Sequence, residues 1–448
     1  MTSQPFPPGF VWGTATSSYQ IEGAVNEDGR GRSIWDDFTH TPGKIKDGGT
    51  GDVAVDHYHR YPEDIALMKS LGVKAYRFST AWPRILPDGK GRIERRGLDF
   101  YSRLVDDLLK AGIEPYLTLY HWDLPSALQA HGGWATRDIA GQFADYAAIV
   151  TRALGDRVAN WITLNEPWCI SFLSHEIGEH APGLKNRALA MQAAHHCNLA
   201  HGQAVQAIRA ATPRPADTKV GITLNYSTVL PLTDSAADRR AADLVHQYDP
   251  FWSWFTRPLF TGAYGPAWPP LAEGDGPEIR PGDMALICQR LDFLGVNYYT
   301  PIRIKDGDGM PRHTRNAGAE YTLMDWEVEP EGLRLLLRDL HQFTGGRVPL
   351  FITENGSSFP DAIVGDHQIH DPRRIAYLRG HLDACRRAIA EGVDLRGYFV
   401  WSLMDNFEWA HGYQQYFGVV HVDYATQKRS IKDSGYYYRD VVAANAVL

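Results

Sequence analysis

The chain has 448 residues, of which 44% are hydrophobic and 22% charged, a balance that is typical of water-soluble globular proteins. Its formal net charge of -8 argues against nucleic acid or an anionic membrane as a partner, because both call for basic patches. No apolar run reaches the roughly 18 residues of a membrane span, and the N-terminus lacks the basic and apolar segments of an export signal. We therefore expect a cytoplasmic protein.

Short apolar, β-rich segments alternate along the chain with segments of helical periodicity. The predicted strands are Phe10–Ala15, Ala75–Ser79, Pro115–Tyr120, Trp161–Asn165, Val220–Asn225, Phe293–Tyr298, Leu350–Glu354 and Tyr398–Ser402. The predicted helices are Tyr61–Leu71, Gly97–Ala111, Asp138–Leu154, Leu189–Ala211 and Asp371–Glu391. This alternation indicates parallel βαβ units, and eight strands match the count of a closed barrel. We predict an α/β fold, a (β/α)8 TIM barrel, as a single domain over residues 1–448.

Most of the predicted strands end in a polar or ionisable side chain, or in an indole. These residues are Arg77, Ser79, His121, Asn165, Glu166, Asn225, Asn297, Glu354, Asn355 and Trp401. In (β/α)8 enzymes the active site lies at the C-terminal ends of the strands. A single polar residue there would merely begin a loop, but the repetition at most of the strand ends indicates a site.

Two of these residues are glutamates in matching positions. Glu166 lies in WITLNEPW and Glu354 in PLFITENG, each directly after an apolar strand. One such glutamate alone is more simply explained as a helix N-cap or an ion pair, whereas two in the same setting favour a catalytic pair. Cleavage of a glycosidic bond needs one carboxylic acid to protonate the leaving oxygen and one ionised carboxylate beside the anomeric carbon. A separation of about 5–5.5 Å would make the second group a nucleophile and retain the configuration.

Further motifs extend this pattern over nearly the whole chain. They are FVWGTATSSYQIEG (Phe10–Gly23), YHWDLP (Tyr120–Pro125), TLNEPW (Thr163–Trp168), LGVNYYTP (Leu294–Pro301), ITENG (Ile352–Gly356), VWSLMDNFEW (Val400–Trp409) and FGVVHVDYATQKR (Phe417–Arg429). Together they resemble the family 1 glycoside hydrolases, the β-glucosidase family. The NEP and TENG motifs, in this order and setting, are highly specific for that family.

The resemblance implies a role for each matching residue. Glu166 corresponds to the acid/base and Glu354 to the nucleophile. Arg77 and Tyr299 correspond to residues that hydrogen-bond the nucleophile and favour its ionised form, with Asn297 supporting the same region. The charge of Glu354 is expected to raise the pKa of Glu166. The implied sugar subsite comprises Gln20, His121, Asn165, Trp401, Glu408 and Trp409, and the positions near the entrance are Trp168, Trp326 and Phe417.

Glu408 bears on which sugar the family resemblance implies. Its carboxylate would bond the 4- and 6-hydroxyls, and a 6-phosphate there would face charge repulsion. The implied substrates are terminal non-reducing β-D-glucosyl residues, as in cellobiose or aryl and alkyl β-glucosides, which connects the chain to cellulose degradation. Galactose and fucose are expected as side activities. His175, Glu176, Glu179 and His411 depart from the common pattern near the expected entrance, which leaves the leaving-group preference open.

Neither a cofactor nor a metal is implied, because protonation and covalent catalysis need only side chains. The sequence HEIGEH (His175–His180) does not have the histidine spacing of a zinc helix. A non-catalytic sugar-binding barrel and a transglycosylase remain as alternative functions, the latter using the same two glutamates. The expected partner is a small-molecule β-glucoside or oligosaccharide. The sequence leaves the natural aglycone, the preferred chain length and the oligomeric state open.

Overall fold

Eight parallel strands close into a barrel, in which each strand pairs with its neighbours along the chain and the last pairs with the first. The computed structural model describes residues 5–267, 276–364 and 368–448. The barrel strands are β1 (Val11–Ala15), β2 (Ala75–Ser79), β3 (Glu114–Tyr120), β4 (Asn160–Asn165), β5 (Lys219–Tyr226), β6 (Phe293–Tyr298), β7 (Leu350–Asn355) and β8 (Leu395–Trp401). All eight predicted strands are confirmed, and the largest difference is at β8, which begins at Leu395 rather than at Tyr398.

The longer helices span His57–Ser70, Arg95–Lys110, Asp138–Leu154, Arg187–Ala211, Ala236–Gln247, Pro330–Thr344, Pro372–Ala390 and Asp433–Ala444. Short helical segments lie at Ser18–Ile21, Ile34–Thr39, Trp82–Ile85, Ser126–Gln129, Gly133–Ala135, Cys169–Ile177, Phe251–Thr256, Arg257–Thr261, Asp283–Ile287 and Trp409–His411. The five predicted helices are confirmed with small differences at their ends. Across the described ranges, no helix has both the length and the apolar character that crossing a bilayer requires.

The helix Arg95–Lys110 illustrates how these segments cover the barrel. Its buried residues include Leu98, Tyr101, Leu104 and Leu108, which recur at the three- and four-residue spacing of one helix face. The Glu94 carboxylate caps its N-terminus by accepting a hydrogen bond from the backbone N–H of Arg96. The exposed face is polar apart from Leu109, so the helix buries its apolar face against the rest of the barrel.

The connection between β5 and β6 departs from simple alternation. The helix Ala236–Gln247 packs on a three-stranded sheet formed by Val229–Pro231, Ile302–Gly307 and Met310–His313. We call this unit the side lobe. Its own small core contains Ala241, Ala242 and Ile304. The sequence patterns do not predict this lobe, because its strands are short and come from two separate connections.

Aromatic rings fill the half of the barrel that contains the strand N-termini. Tyr116 and Phe399 lie with ring centroids 4.9 Å apart, and Phe293 and Phe351 lie 5.5 Å apart. Gly13 makes room for this packing, since a Cβ there would lie 2.4 Å from the Phe399 ring. The barrel is a packed core at this end, so a ligand can approach only the end formed by the strand C-termini.

Candidate active site

Both glutamates lie where a barrel strand departs from regular pairing. β4 has one residue more than β5 between the pairs at Ile162 and Asn165, and β7 has one more than β6 between Ile352 and Glu354. Bulges of this kind re-aim side chains and are frequent next to active sites. Glu166 follows with a φ of 51°, a left-handed conformation that is uncommon for non-glycine residues and clusters at functional sites.

Gly356 allows the ends of β7 and β8 to approach each other. A Cβ at this position would lie 1.7 Å from the carbonyl oxygen of Trp401. Any side chain would therefore separate the strand that carries Glu354 from the strand that carries Trp401. This contact explains why a glycine follows Asn355 in the ITENG motif.

Glu354 receives a hydrogen bond on each carboxylate oxygen. Arg77 Nη1 donates to Oε1 over 2.6 Å, and the Tyr299 hydroxyl donates to Oε2 over 2.6 Å. Burial and the charge of Glu354 raise the pKa of Tyr299 well above its usual value, so the phenol stays protonated. Arg77 is 1% exposed and also donates to the backbone carbonyl of Thr353. These donors fix the orientation of the Glu354 carboxylate through one charge-assisted and one neutral hydrogen bond.

Glu166 is buried among neutral donors. Asn297 Nδ2 donates to Oε1 over 2.6 Å, and the Cys169 thiol donates to Oε2 over 3.1 Å. Burial and, second, the charge of Glu354 raise the pKa of Glu166 to about 7. The sequence predicts the charge of Glu354 as the cause, whereas burial is the larger one. Asn297, predicted to support the region of the nucleophile, lies opposite Glu354 in the strand register and donates to Glu166.

Asn165 connects the surroundings of the two glutamates. Its Oδ1 accepts hydrogen bonds from Arg77 Nη2 over 2.6 Å and from Asn297 Nδ2 over 3.2 Å. Its Nδ2 lies 3.0 Å from His121 Nε2. Burial and the Arg77 charge lower the pKa of His121 well below its usual value, so the imidazole is neutral and accepts through Nε2. The Nδ1 of His121 has no protein partner.

Two indoles and an imidazole form the inner wall of the cavity. Trp401 and Trp409 both stack on His121, with ring centroids 5.8 and 5.9 Å away, and all three side chains line the cavity. Trp122 also lines it and packs on Trp409 at 4.6 Å, although the sequence did not single it out. Flat apolar surfaces beside a neutral hydrogen-bonding ring suit a sugar ring, which has apolar faces and polar edges.

Glu408 lines the same wall, with Gln20 fully buried behind it. Gln20 Nε2 donates to the backbone carbonyl of Phe407 over 2.8 Å and lies 3.4 Å from Glu408 Oε2. The sequence predicts a carboxylate at Glu408. Burial and the charges of Glu354 and Glu166 raise its pKa to about 8. Both forms of the carboxyl group accept hydrogen bonds from sugar hydroxyls, and the protonated form can also donate one.

The cavity has a volume of about 1060 Å³, at the upper end for sites that bind small molecules. Tyr299, Trp326 and Phe417 form an aromatic cluster along it, with Trp326 lying 5.1 Å from Tyr299 and 6.0 Å from Phe417. Trp168 also lines the cavity and packs on Phe251 at 5.2 Å. All of the predicted entrance aromatics therefore line the same space as the two glutamates.

The residues that depart from the common family pattern occupy different places. Glu179 and His411 line the cavity. His175 is buried away from it, with Nδ1 2.9 Å from the carbonyl oxygen of Ile170, and Glu176 forms an ion pair with Arg187 at 3.0 Å. The prediction that this whole stretch lies at the entrance is wrong for His175 and Glu176, because the segment Cys169–Ile177 turns as a helix and only one face meets the cavity.

Cys169 is a site residue that the sequence reading missed. It lies three residues after Glu166, and its backbone N–H donates to the Glu166 carbonyl over 2.9 Å. One helical turn therefore places the thiol beside the Glu166 carboxyl. A helix assumed directly after the NEP motif would have indicated this contact.

Among the described residues, Asp361, Asp405 and His421 have the spacing of a metal-ligand set. Lys432 Nζ lies 2.6 Å from Asp361 Oδ2 and 2.8 Å from Asp405 Oδ1. Arg374 Nη1 also pairs with Asp361 at 3.2 Å. The Lys432 ammonium and the Arg374 guanidinium thus already balance these carboxylates, and the cluster is an ion-pair network outside the cavity.

Comparisons with known proteins agree with this geometry. The sequence model of glycosyl hydrolase family 1 matches residues 2–447. Beta-glucosidase A of Thermotoga maritima is 46% identical over 449 residues, covering 100% of both chains. The 1,4-beta-D-glucan glucohydrolase of Thermotoga neapolitana is 46% identical over 444 residues, covering 99% of each. A solved Thermotoga maritima family 1 b-glucosidase in complex with isofagomine lactam has a TM-score of 0.92 at 47% identity, covering 99% of this chain and 100% of that one.

Proposed function

The chain belongs to glycosyl hydrolase family 1, and on that premise we propose that it is a retaining β-glucosidase acting on terminal non-reducing β-D-glucosyl residues. We assign the nucleophile to Glu354 and the acid/base to Glu166, within one catalytic domain. The observation that supports this most is the contrast between the two glutamates. Arg77 and Tyr299 each donate a hydrogen bond of 2.6 Å to Glu354, whereas Glu166 has only neutral donors and burial raises its pKa to about 7.

In the first step, a Glu354 oxygen attacks the anomeric carbon while the bond from that carbon to the leaving oxygen breaks. Glu166 transfers its proton to the leaving oxygen. The product is a covalent glucosyl ester of Glu354, and its formation removes the Glu354 charge. With that charge gone, the pKa of Glu166 falls. In the second step Glu166 accepts a proton from water, which attacks the same carbon and releases Glu354 as a carboxylate.

The inner wall supports a glucosyl ring in this position. Trp401 offers an apolar surface, and His121 and Glu408 offer hydrogen-bonding groups on the cavity surface. Gln20 and Asn165 are 0% exposed and hold Glu408 and His121 by the hydrogen bonds described above. We propose that these two amides position the sugar-binding groups and contact the sugar only at its edge.

The stereochemistry of the product tests the proposed function directly. The wild type hydrolysing p-nitrophenyl β-D-glucoside should release β-glucose first, because two inversions at the anomeric carbon retain the configuration. Proton NMR within the first minutes would show the β-anomer appearing before mutarotation produces the α-anomer. First formation of α-glucose would overturn the retaining mechanism, and no hydrolysis would overturn the β-glucosidase assignment.

The alkaline limb of the pH profile should depend on the thiol of Cys169. Glu166 must be protonated to act as an acid, so kcat/KM should fall as the pH rises above about 7. The thiol donates to Glu166 and favours its ionised form. Cys169→Ala should therefore move the limb to higher pH, and Cys169→Ser, with a stronger donor, should move it to lower pH, each by about half a unit.

The measurement is kcat/KM for p-nitrophenyl β-D-glucoside between pH 5 and 9 in the wild type and both variants. If Cys169 acted only through packing, both variants would be slower, but their alkaline limbs would not shift in opposite directions from that of the wild type. Identical limbs in all three proteins would show that the thiol does not affect the proton affinity of Glu166.

A further inference from the structure

The wall of the cavity contributed by the side lobe differs in chemistry from the inner wall. The inner wall has His121, Glu408 and the two catalytic glutamates among its indoles. The side lobe contributes Val229, Leu244, Val245, Ile302, Met310, Pro311 and His313 to the same cavity. These segments are fully described, and all of their cavity-lining residues except His313 are apolar. A sugar unit on this wall would find few groups to bond its hydroxyls.

Two of these side chains are unusually exposed. Leu244 is 40% exposed and Met310 is 58% exposed. Single exposed apolar side chains need no explanation, but a contiguous apolar patch usually marks a binding site. Here the patch belongs to a cavity that also contains Glu166 and Glu354. A molecule bound at the glutamates can therefore extend onto the patch.

Arg303 and Asp249 are polar side chains close to this wall, and both have partners within the protein. Arg303 of the side lobe pairs with Glu327 and with Glu329. Asp249 Oδ1 accepts a hydrogen bond from the backbone N–H of Phe251 over 2.8 Å, whereas Oδ2 is buried without a protein partner. The surface that the side lobe itself presents to the cavity is apolar except at His313.

Charged and titratable side chains line another part of the cavity surface. Lys46, Glu179 and His411 line it, and Lys46 Nζ lies 3.2 Å from the His411 ring nitrogens. The cavity therefore has a charged part and an apolar part outside the inner wall. This difference would orient an apolar aglycone. Contact with the charged groups costs desolvation free energy, whereas contact with the side lobe buries apolar surface and is favourable.

We propose that the side lobe binds the apolar part of the leaving group, so that the preferred substrates are β-glucosides of alkyl or extended aryl alcohols and not glucosides of a second sugar. This inference rests on the proposed β-glucosidase function and specifies its substrate class. The scissile bond and both glutamates are unchanged. The side lobe acts only on the binding of the aglycone.

The test compares ethyl, butyl, hexyl and octyl β-D-glucosides, kept below their micelle-forming concentrations, together with cellobiose. Complete burial of one methylene is worth about fourfold in kcat/KM, and partial burial about twofold. Four methylenes separate butyl from octyl, so we expect an increase between roughly 15-fold and 250-fold. Octyl glucoside should also exceed cellobiose.

Two variants locate the effect. Leu244→Ser and Met310→Ser remove exposed apolar side chains, so neither should disturb the core. Each should lower kcat/KM for octyl glucoside about three- to tenfold and leave the value for ethyl glucoside within twofold. Leu109→Ser is a matched control, because Leu109 is 41% exposed but lies on the outer helix Arg95–Lys110 away from the cavity. It should change neither value.

The outcomes separate this inference from the function on which it rests. If ethyl and p-nitrophenyl glucosides are hydrolysed but chain length has no effect, or if cellobiose is the better substrate, the side-lobe inference fails alone. Unchanged octyl glucoside kinetics in both lobe variants would also overturn it. If no glucoside is hydrolysed, the proposed function fails, and the side-lobe inference fails with it.

Discussion

Replacing Glu354 by alanine should lower kcat for p-nitrophenyl β-D-glucoside by roughly four orders of magnitude or more. That loss corresponds to about 5 kcal/mol of transition-state stabilisation. The substrate has a good leaving group, so the acid/base is least needed and the loss reports mainly on the nucleophile. Without the carboxylate no covalent glucosyl intermediate can form. The measurement is the initial rate of p-nitrophenol release by the variant and the wild type in parallel.

The alanine variant also leaves a buried charge without its partner. Arg77 is 1% exposed and pairs with Glu354 at 2.6 Å, and removing one member of a buried pair commonly destabilises a protein by about 3–5 kcal/mol. Glu354→Gln is the safer companion, because its amide oxygen still accepts from Arg77. Thermal unfolding of both variants would separate lost chemistry from lost folding.

Glu179→Gln is the matched control for this experiment. Glu179 is an exposed glutamate that lines the same cavity. Its replacement should leave kcat within a fewfold of the wild type. Folded Glu354 variants that hydrolyse the substrate at the wild-type rate would remove Glu354 from the nucleophile role, and an equal loss in the Glu179 variant would show that the assay responds to the charge of the cavity.

The barrel could be predicted from sequence because its determinants are local. Strands covered by helices on one face and packed against the barrel interior on the other are apolar throughout, as in β6 (Phe293–Tyr298), which is buried at every position. Once such strands are parallel, their C-terminal ends meet, so the polar residues that follow them converge. The convergence of Arg77, Asn165 and Glu354 on one hydrogen-bond network follows from this geometry.

The features that the sequence reading missed depend on contacts between distant segments. The side lobe needs Val229–Pro231 to pair with Ile302–Gly307, and neither segment has a strong pattern of its own. The helix Pro330–Thr344 is an exception, because its four buried leucines on one face are a local pattern, although it is not among the predicted helices. The partner of Asn297 could not be predicted, because the bulges in β4 and β7 decide which glutamate its amide reaches.

The pKa of Glu166 likewise depends on the folded environment and not only on the residue type. The two glutamates have identical side chains after similar strands. The sequence analysis predicts that their pKa values differ, but it attributes the raised pKa of Glu166 to the charge of Glu354. Burial is the larger cause, and burial depends on how the segment after β4 folds back over the strand end. It also raises the pKa of Glu408 to about 8, which the motif alone did not indicate.

Glu166→Ala should produce a loss that depends on the leaving group. Methyl β-D-glucoside, whose leaving alcohol needs a proton, should lose roughly three orders of magnitude or more in kcat/KM. 2,4-Dinitrophenyl β-D-glucoside, whose phenolate leaves unaided, should lose far less at this step, since general acid catalysis contributes about 10²–10⁴-fold. Steady-state kinetics on both substrates give the ratio. A uniform loss on the two would contradict the acid role, and Cys169→Ala serves as the control for a perturbed pocket.

Azide would then distinguish the faces on which the two carboxylates lie. In Glu166→Ala the glucosyl ester of Glu354 should accumulate, because no base activates water, and azide entering through the vacated space should attack the anomeric carbon and release Glu354. Two inversions give β-glucosyl azide. In Glu354→Ala, azide can enter only from the nucleophile side, and its single displacement gives the α-azide. An α-azide from Glu166→Ala would exchange the two assignments, because the configuration of the product records which side of the ring had lost its carboxylate.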